Sequence, residues 1–405
     1  MCSETRPNAK PENVKRNTMT TLFEHKERTD DKPANHLDNT FDFYDRSSSK
    51  QVAQVRDTLN VWFDNYPESE KAELKKRFQT SFSSPFFELF LHEFFRRQGF
   101  TLEPHPIIPG TTKRPDFLVH GHELEFYLEA KESTDKSESE KSVENRINLL
   151  YDQINKTNTP NFFFRINELL LKSNNQPSGK KIINYIESQL PQFDPDEVAK
   201  SLHQTGLENL ETITYEDNDL KLVISLIPKS PNARGKEGLR PIGIYPFDSY
   251  WGGAETSIKT SIEKKATRYG ELDKPYLICI NSTSEKGDGG YDMMNALFGS
   301  LQVTFSTNLE KRDERLTRAK DGVFLNSQGA KFTRVSAIFI TNVNSANLHV
   351  ANHWLVRHPF ASRELTFDPF DLTKVVVENH QIKTIDGKSI KEVMEIPDNW
   401  LMTEM

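Results

Sequence analysis

Residues 114–131 read Arg114-Pro115-Asp116-Phe117-Leu118-Val119-His120-Gly121-His122-Glu123-Leu124-Glu125-Phe126-Tyr127-Leu128-Glu129-Ala130-Lys131. Apolar and polar residues alternate on both sides of Gly121-His122, so the stretch reads as a β-hairpin. A two-residue type II′ turn takes glycine first, which predicts Gly121-His122 as the turn and pairs Val119 with Leu124, Phe117 with Phe126 and Asp116 with Tyr127. One face then carries Phe117, Val119, Leu124, Phe126, Leu128 and Ala130, all apolar. The other carries Asp116, Leu118, Glu125, Tyr127, Glu129 and Lys131. A slip by one residue would turn the charges into the core, so the pattern fixes which face is buried. Asp116 and Glu129 become diagonal neighbours, roughly 7–8 Å apart at Cα. Lys131, two residues beyond Glu129, points the same way.

Two carboxylates so placed repel each other, and a divalent cation relieves the repulsion. Oxygen ligands without cysteine or an obvious histidine favour Mg²⁺ or Mn²⁺ over zinc. A lysine ammonium beside them can hold an attacking water or balance charge on a phosphorane-like transition state. Metal, water and lysine together point to phosphodiester hydrolysis.

On the N-terminal side, Ser84-Pro85 predicts a helix start, with Ser84 as N-cap and Pro85 at the first helical position. This helix carries Phe87, Leu89, Phe90, Leu91, Phe94 and Phe95, and Gly99 stops it. Two more helices are expected before it, the first with Val52, Val55, Leu59, Trp62 and Phe63 at helical spacing. Residues 1–45 are polar and mixed in charge, which predicts a flexible tail. On the C-terminal side a helix is expected near 143–154 and a strand over 161–166. A strong strand follows at 220–227. An amphipathic helix from 254 to 269 feeds a strand at 275–281, and later strands are expected at 335–341 and 349–356. The organisation so read is a tail (1–45), N-terminal helices (46–83), a core (84–170), a polar, partly helical connector (171–219) and an α/β extension or second domain (220–405).

Pro115-Asp116 followed by Glu129-Ala130-Lys131 resembles the PD-(D/E)XK phosphodiesterase superfamily, the restriction-endonuclease-like nucleases. The pattern there is Pro-Asp, a spacer, then Asp/Glu-X-Lys on the next strand, and the spacer here holds 12 residues. The resemblance covers about residues 84 to 166. It implies an α/β fold with a three-layer core around a mixed sheet. It implies Asp116 and Glu129 as ligands of Mg²⁺ or Mn²⁺, Lys131 as the catalytic lysine, and Glu88 on the preceding helix as an accessory acid and further ligand. The helix after the hairpin would bear on the site, with Gln153 or Arg146 facing it. Lys113 and Arg114, just before the motif, are placed to meet a phosphate. The implied partner is nucleic acid, with DNA the expected polymer; a homodimer would suit cutting of both strands, and an activating partner protein would explain a weak activity in isolation. Defence against foreign DNA is one role open to such a chain. The alternative from another class is a catalytically silent nucleic-acid-binding or assembly module on a nuclease-like fold.

The rest of the chain narrows the choice. The 405 residues carry a formal charge of −7, which argues against wrapping by nucleic acid through bulk attraction but leaves room for a local basic groove. Lys259, Lys264, Lys265 and Arg268 make one side of the 254–269 helix basic, either a solvated face or a contact to a nucleic-acid backbone. No apolar run approaches the roughly 18 residues of a membrane-spanning helix, and Met1–Arg6 lack the apolar stretch of a secretory leader. The two cysteines, Cys2 and Cys279, exclude a disulfide scaffold and a cysteine-based zinc site, so a reducing, cytoplasmic compartment is expected. His349, His353 and His358 do not form H-E-x-x-H and lie in a strand-like stretch, so they read as packed or surface histidines. Asp386-Gly387-Lys388-Ser389 lacks the earlier glycine of a phosphate loop, since position 382 is Ile382.

Overall fold

The computed structural model describes residues 20–134, 136–236, 238–246, 253–284, 289–304 and 315–402. Four helices come first: α1 (Thr40–Arg46), α2 (Lys50–Asp64), α3 (Glu68–Thr80) and α4 (Ser83–Arg97). The antiparallel strands β1 (Thr101–Pro104), β2 (Phe117–Gly121) and β3 (Leu124–Ser133) follow. The next stretch holds α5 (Glu138–Ile154), β4 (Phe162–Leu171), α6 (Gly179–Gln189), α7 (Pro195–Thr205), β5 (Thr212–Glu216), β6 (Leu220–Pro228) and β7 (Ile242–Ile244). The chain then passes through α8 (Ala254–Ala266) into β8 (Tyr276–Ser282) and on to α9 (Gly290–Phe298). Two small antiparallel pairs come next, β9 (Leu301–Thr304) with β10 (Arg315–Arg318) and β11 (Leu325–Asn326) with β12 (Gly329–Ala330). Strands β13 (Ala337–Thr341), β14 (His353–Arg357), β15 (Lys374–Glu378) and β16 (Gln381–Ile385) and the short helix α10 (Ile390–Met394) complete the described chain.

Eight strands form one mixed sheet in the order β1-β2-β3-β8-β13-β14-β15-β16. β3 pairs parallel with β8, and β8 parallel with β13. Successive side chains on a strand face opposite ways, and here both faces are covered. Phe126, Leu128, Leu277, Cys279 and Phe339 pack with Phe63, Phe90 and Phe94 of α2 and α4. Tyr127, Ile278, Ile280 and Ile338 pack with Ile258, Ile262 and Met293 of α8 and α9. Two cores on the two faces of one sheet make three layers. Burial on both sides explains why 276–280 and 337–340 are nearly continuous apolar runs instead of alternating ones. No helix among the described residues is long and apolar enough to cross a membrane.

The structure corrects several sequence expectations. The hairpin keeps its two faces but not its turn. Gly121 pairs with Leu124, Val119 with Phe126 and Phe117 with Leu128, so His122-Glu123 form the turn. Both have positive φ, 52° and 64°, as a type I′ turn requires. The cost of that conformation at a non-glycine residue is offset at His122, whose Nε2 lies 2.8 Å from the Gln98 carbonyl oxygen and whose ring packs edge-on against Phe100. The register moves by two residues, which is why the core face survives. Continued one step past Phe117, it sets Asp116 directly opposite Glu129 instead of diagonal to it.

The tail expected over 1–45 is structured from residue 20. Leu22 and Phe23 are buried, and Asn60 holds Phe23 at both ends, accepting from its N–H at 2.9 Å and donating to its carbonyl at 3.0 Å. One side chain thus supplies the backbone pairing that a helix or strand would otherwise give. Residues 1–19 lie outside the described residues.

The core does not end at residue 170, and β4 is not part of it. Five of the eight central strands come from 276–385, so most of the expected C-terminal extension continues the same sheet. β4 belongs instead to a separate four-stranded sheet, β5-β6-β4-β7, covered by a third apolar core from α5, α6 and α7. Phe162, Phe164 and Ile166 are spent there. The expected connector of 171–219 supplies two helices and one strand of this second unit.

Candidate functional site

Asp116, Glu129 and Lys131 meet in a polar cleft of about 510 Å³, together with Glu88 of α4, Arg77 of α3 and Lys265 and Arg268 from the end of α8 and just beyond it. The hairpin sets the first three. Asp116 stands at the entry to β2, and its Oδ2 accepts from the Ala130 N–H at 2.6 Å, tying the two strands together beside Glu129. Burial, then the Glu129 charge, pushes the Asp116 carboxyl up to about 7. Lys131 stands exposed at the cleft, and its ammonium titrates below its ordinary value because of partial burial and then the neighbouring Lys265 and Lys264 charges.

Glu129 is only 1% exposed, and a buried carboxylate needs partners. One oxygen is paired with the Lys265 ammonium. The Tyr269 hydroxyl lies 2.5 Å from the other and 2.8 Å from the Arg114 carbonyl oxygen. The Arg268 guanidinium stands 3.6 Å away. Glu88, 5% exposed, is held in the same style. The Tyr66 hydroxyl donates to its Oε1 at 2.7 Å and Arg77 pairs with Oε2. Burial and the adjacent carboxylate push both tyrosine hydroxyls far above their ordinary value, so both remain donors.

Two expected contacts fall elsewhere. Arg146 donates to the carbonyls of Ser173 and Asn175, at 2.9 and 3.1 Å, and Gln153 lies against Gly179; both belong to the second unit. Of the helices after the hairpin, α5 reaches the cleft only near its start, at Lys141, and α8 supplies Lys265; the rest of the second unit is inserted between them. Lys113 and Arg114 are exposed at the rim, Lys113 donating to the Arg268 carbonyl at 3.2 Å and Arg114 to that of His105 at 3.4 Å. Tyr66, Arg77 and Tyr269 were not singled out from the sequence. The 254–281 helix-strand unit held the missed signal, since a parallel partner for β3 needs a crossover helix, which must pass over the sheet next to it.

His353 and His358 serve packing. His353 Nε2 accepts from the Thr373 N–H at 3.2 Å, and His358 bridges the Lys331 carbonyl at 2.8 Å and the Phe360 N–H at 3.0 Å. Among the described residues no group of three or more His, Cys, Asp or Glu side chains is arranged to hold a metal ion. The pair that does converge, Asp116 and Glu129, is all-oxygen and doubly anionic when ionised. That donor set fits Mg²⁺ or Mn²⁺, ions that take one or two carboxylates and complete their shell with water and phosphate oxygens.

No family model matches the chain, and searches of curated proteins and of solved structures likewise find no match.

Proposed function

We propose that this chain is a divalent-metal-dependent nuclease on a restriction-endonuclease-like core, hydrolysing phosphodiester bonds in nucleic acid, with DNA the expected polymer. The observation that carries the reading is the convergence of Asp116, Glu129 and Lys131, from two adjacent strands, in one cleft with Arg77, Lys265 and Arg268. The element order supports it: a helix, three antiparallel strands, a crossover helix and a strand parallel to the third.

Asp116 and Glu129 would hold Mg²⁺ or Mn²⁺, with Glu88 an accessory acid on the cleft wall. When bound, such an ion polarises a phosphoryl oxygen and acidifies a coordinated water. Lys131 stands beside the pair, where its ammonium orients the attacking water or balances charge on the phosphorus oxygens. Arg268, with Lys113 and Arg114 at the rim, meets the flanking phosphates. The Tyr269 hydroxyl keeps the Glu129 carboxylate aimed into the cleft.

The test is cleavage of supercoiled plasmid, linear duplex, single-stranded DNA and RNA by wild type and Lys131→Ala, each in Mg²⁺, Mn²⁺ or EDTA. Metal-dependent cutting by wild type and none by the variant is the expected result and identifies the polymer. Equal cutting by both proteins removes Lys131 from the mechanism. Metal binding with no cleavage of any polymer favours a silent binding module.

A further inference from the structure

Glu129 already has a cationic partner within the chain. Its carboxylate is almost wholly buried, and the Lys265 ammonium is paired with one of its oxygens. Lys265 stands in the last turn of α8, its side chain 14% exposed, and lines the same cleft as Asp116, Lys131 and Arg268. We propose that Lys265 is a placeholder cation: it neutralises Glu129 in the metal-free protein, gives up that oxygen when a divalent cation binds Asp116 and Glu129, and then serves a phosphate of the nucleic acid. The inference rests on the metal-dependent reading above and adds to it a coupling between metal and substrate.

The physical argument is one of charge. A buried carboxylate cannot be left unpaired, so Glu129 needs a cation at every stage. An ammonium and a divalent cation on the same carboxylate repel each other, and the burial of Glu129 keeps water from screening them there. One must leave, and only the lysine is tethered by a flexible four-carbon stem. The base of that stem is fixed, since the Tyr276 hydroxyl donates to the Lys265 carbonyl at 3.3 Å, so the ammonium swings while the backbone stays. Tyr269, neutral and 4% exposed, remains on the other oxygen and preserves the aim of the carboxylate. Once displaced, the Lys265 ammonium joins Arg77, Lys131, Lys141 and Arg268 in a cleft that a bound metal makes more positive still. A phosphodiester is the group that restores the balance. Nucleic acid therefore gives Lys265 a second home, and by linkage it must raise metal affinity as metal raises affinity for nucleic acid.

The experiment is Mn²⁺ binding to the full chain by calorimetry, without nucleic acid. Wild type is compared with Lys265→Met, Lys265→Gln, Lys265→Arg and Asp116→Asn, each checked for fold by circular dichroism. Lys265→Met and Lys265→Gln are expected to bind Mn²⁺ roughly tenfold more tightly than wild type, because the competing charge is gone. Lys265→Arg keeps that charge and is expected to bind no more tightly. A non-cleavable phosphorothioate duplex is expected to tighten Mn²⁺ binding in wild type, and less so in Lys265→Met. If Met and Gln variants bind Mn²⁺ equally or more weakly while Asp116→Asn loses it, Lys265 merely orients Glu129 and the placeholder role is overturned. If Asp116→Asn binds Mn²⁺ as wild type does, the metal reading itself fails, and the placeholder role with it.

Discussion

Asp116→Asn is expected to stabilise the metal-free protein at alkaline pH. Burial and the Glu129 charge raise the Asp116 carboxyl from its ordinary 3.8 to about 7. A group whose folded pKa lies above its unfolded value holds its proton more tightly in the folded state. Its contribution to stability is therefore complete below pH 3.8 and is lost progressively as pH rises to about 7. Between pH 5 and pH 8 the loss spans about two pH units, or ~3 kcal/mol at ~1.4 kcal/mol per unit, and it belongs to the Asp116–Glu129 pair jointly. Water in the open cleft makes that figure an upper value. Asparagine removes the charge yet keeps a carbonyl oxygen for the Ala130 N–H, so the strand tie at 2.6 Å survives. The assay is urea unfolding followed by circular dichroism, in EDTA, for both proteins at pH 5 and pH 8. The advantage of the variant is expected to grow by ~2–3 kcal/mol between the two pH values. Mg²⁺ added at pH 8 is expected to reduce that advantage by binding wild type alone. An advantage that is equal at both pH values, or a variant less stable at pH 8, refutes the reasoning.

Two further outcomes follow from groups outside the cleft. His92, His353 and His358 are buried, and burial lowers each to about 4 from an ordinary 6.5. The unfolded chain takes up their protons first, so stability falls as pH drops from 6.5 towards 4, by up to ~3 kcal/mol for each histidine. Ring titrations of the folded protein by NMR with midpoints near 6.5 at these three positions would contradict this. Asn60→Ala removes both bonds to the Phe23 backbone and is expected to cost ~1–3 kcal/mol. Hydrogen exchange should then show residues 20–30 opening well before α2, and unchanged protection there would show that Leu22 and Phe23 hold the segment by packing alone.

The sequence carried the two faces of the hairpin because burial has a period of two and nothing else satisfies Phe117, Val119, Phe126 and Leu128. It did not carry the turn. Gly121 is the better turn residue by propensity, but His122 gains a carbonyl and an aromatic edge from residues 98 and 100, contacts that a local reading does not see. The same holds for the N-terminal segment. A few apolar residues, Leu22 and Phe23 among them, in a mostly polar stretch read as disorder, and what anchors Phe23 is Asn60, 37 positions away. Glu88, Asp116, Glu129 and Lys131 were legible because the motif spacing places them. Tyr66, Arg77 and Tyr269 were not, because two tyrosines in connecting segments and an arginine on an ordinary helix announce no role until the carboxylates they serve are located.

The largest gap is α8, the second helix that closes the site, and its cause is topological. Two adjacent parallel strands cannot be joined by a hairpin, so β3 must reach β8 by a crossover. The short form of that crossover is α8 alone, which packs on the sheet face that carries Glu129 and Tyr127. An insertion is tolerated where the crossover leaves β3, since a unit with its own core there disturbs neither the β3–β8 ladder nor the contact of α8 with it. Local periodicity sees the next helix in the chain, α5, which reaches the cleft at Lys141 but not at Arg146 or Gln153. The pairing of Lys265 with Glu129, 136 residues apart, adds α8 to the cleft. The basic side of the 254–269 helix was visible as a run of lysines. That one of them faces a buried carboxylate follows only from knowing that β8 lies beside β3, because the helix feeding a strand must pack over that strand's neighbour.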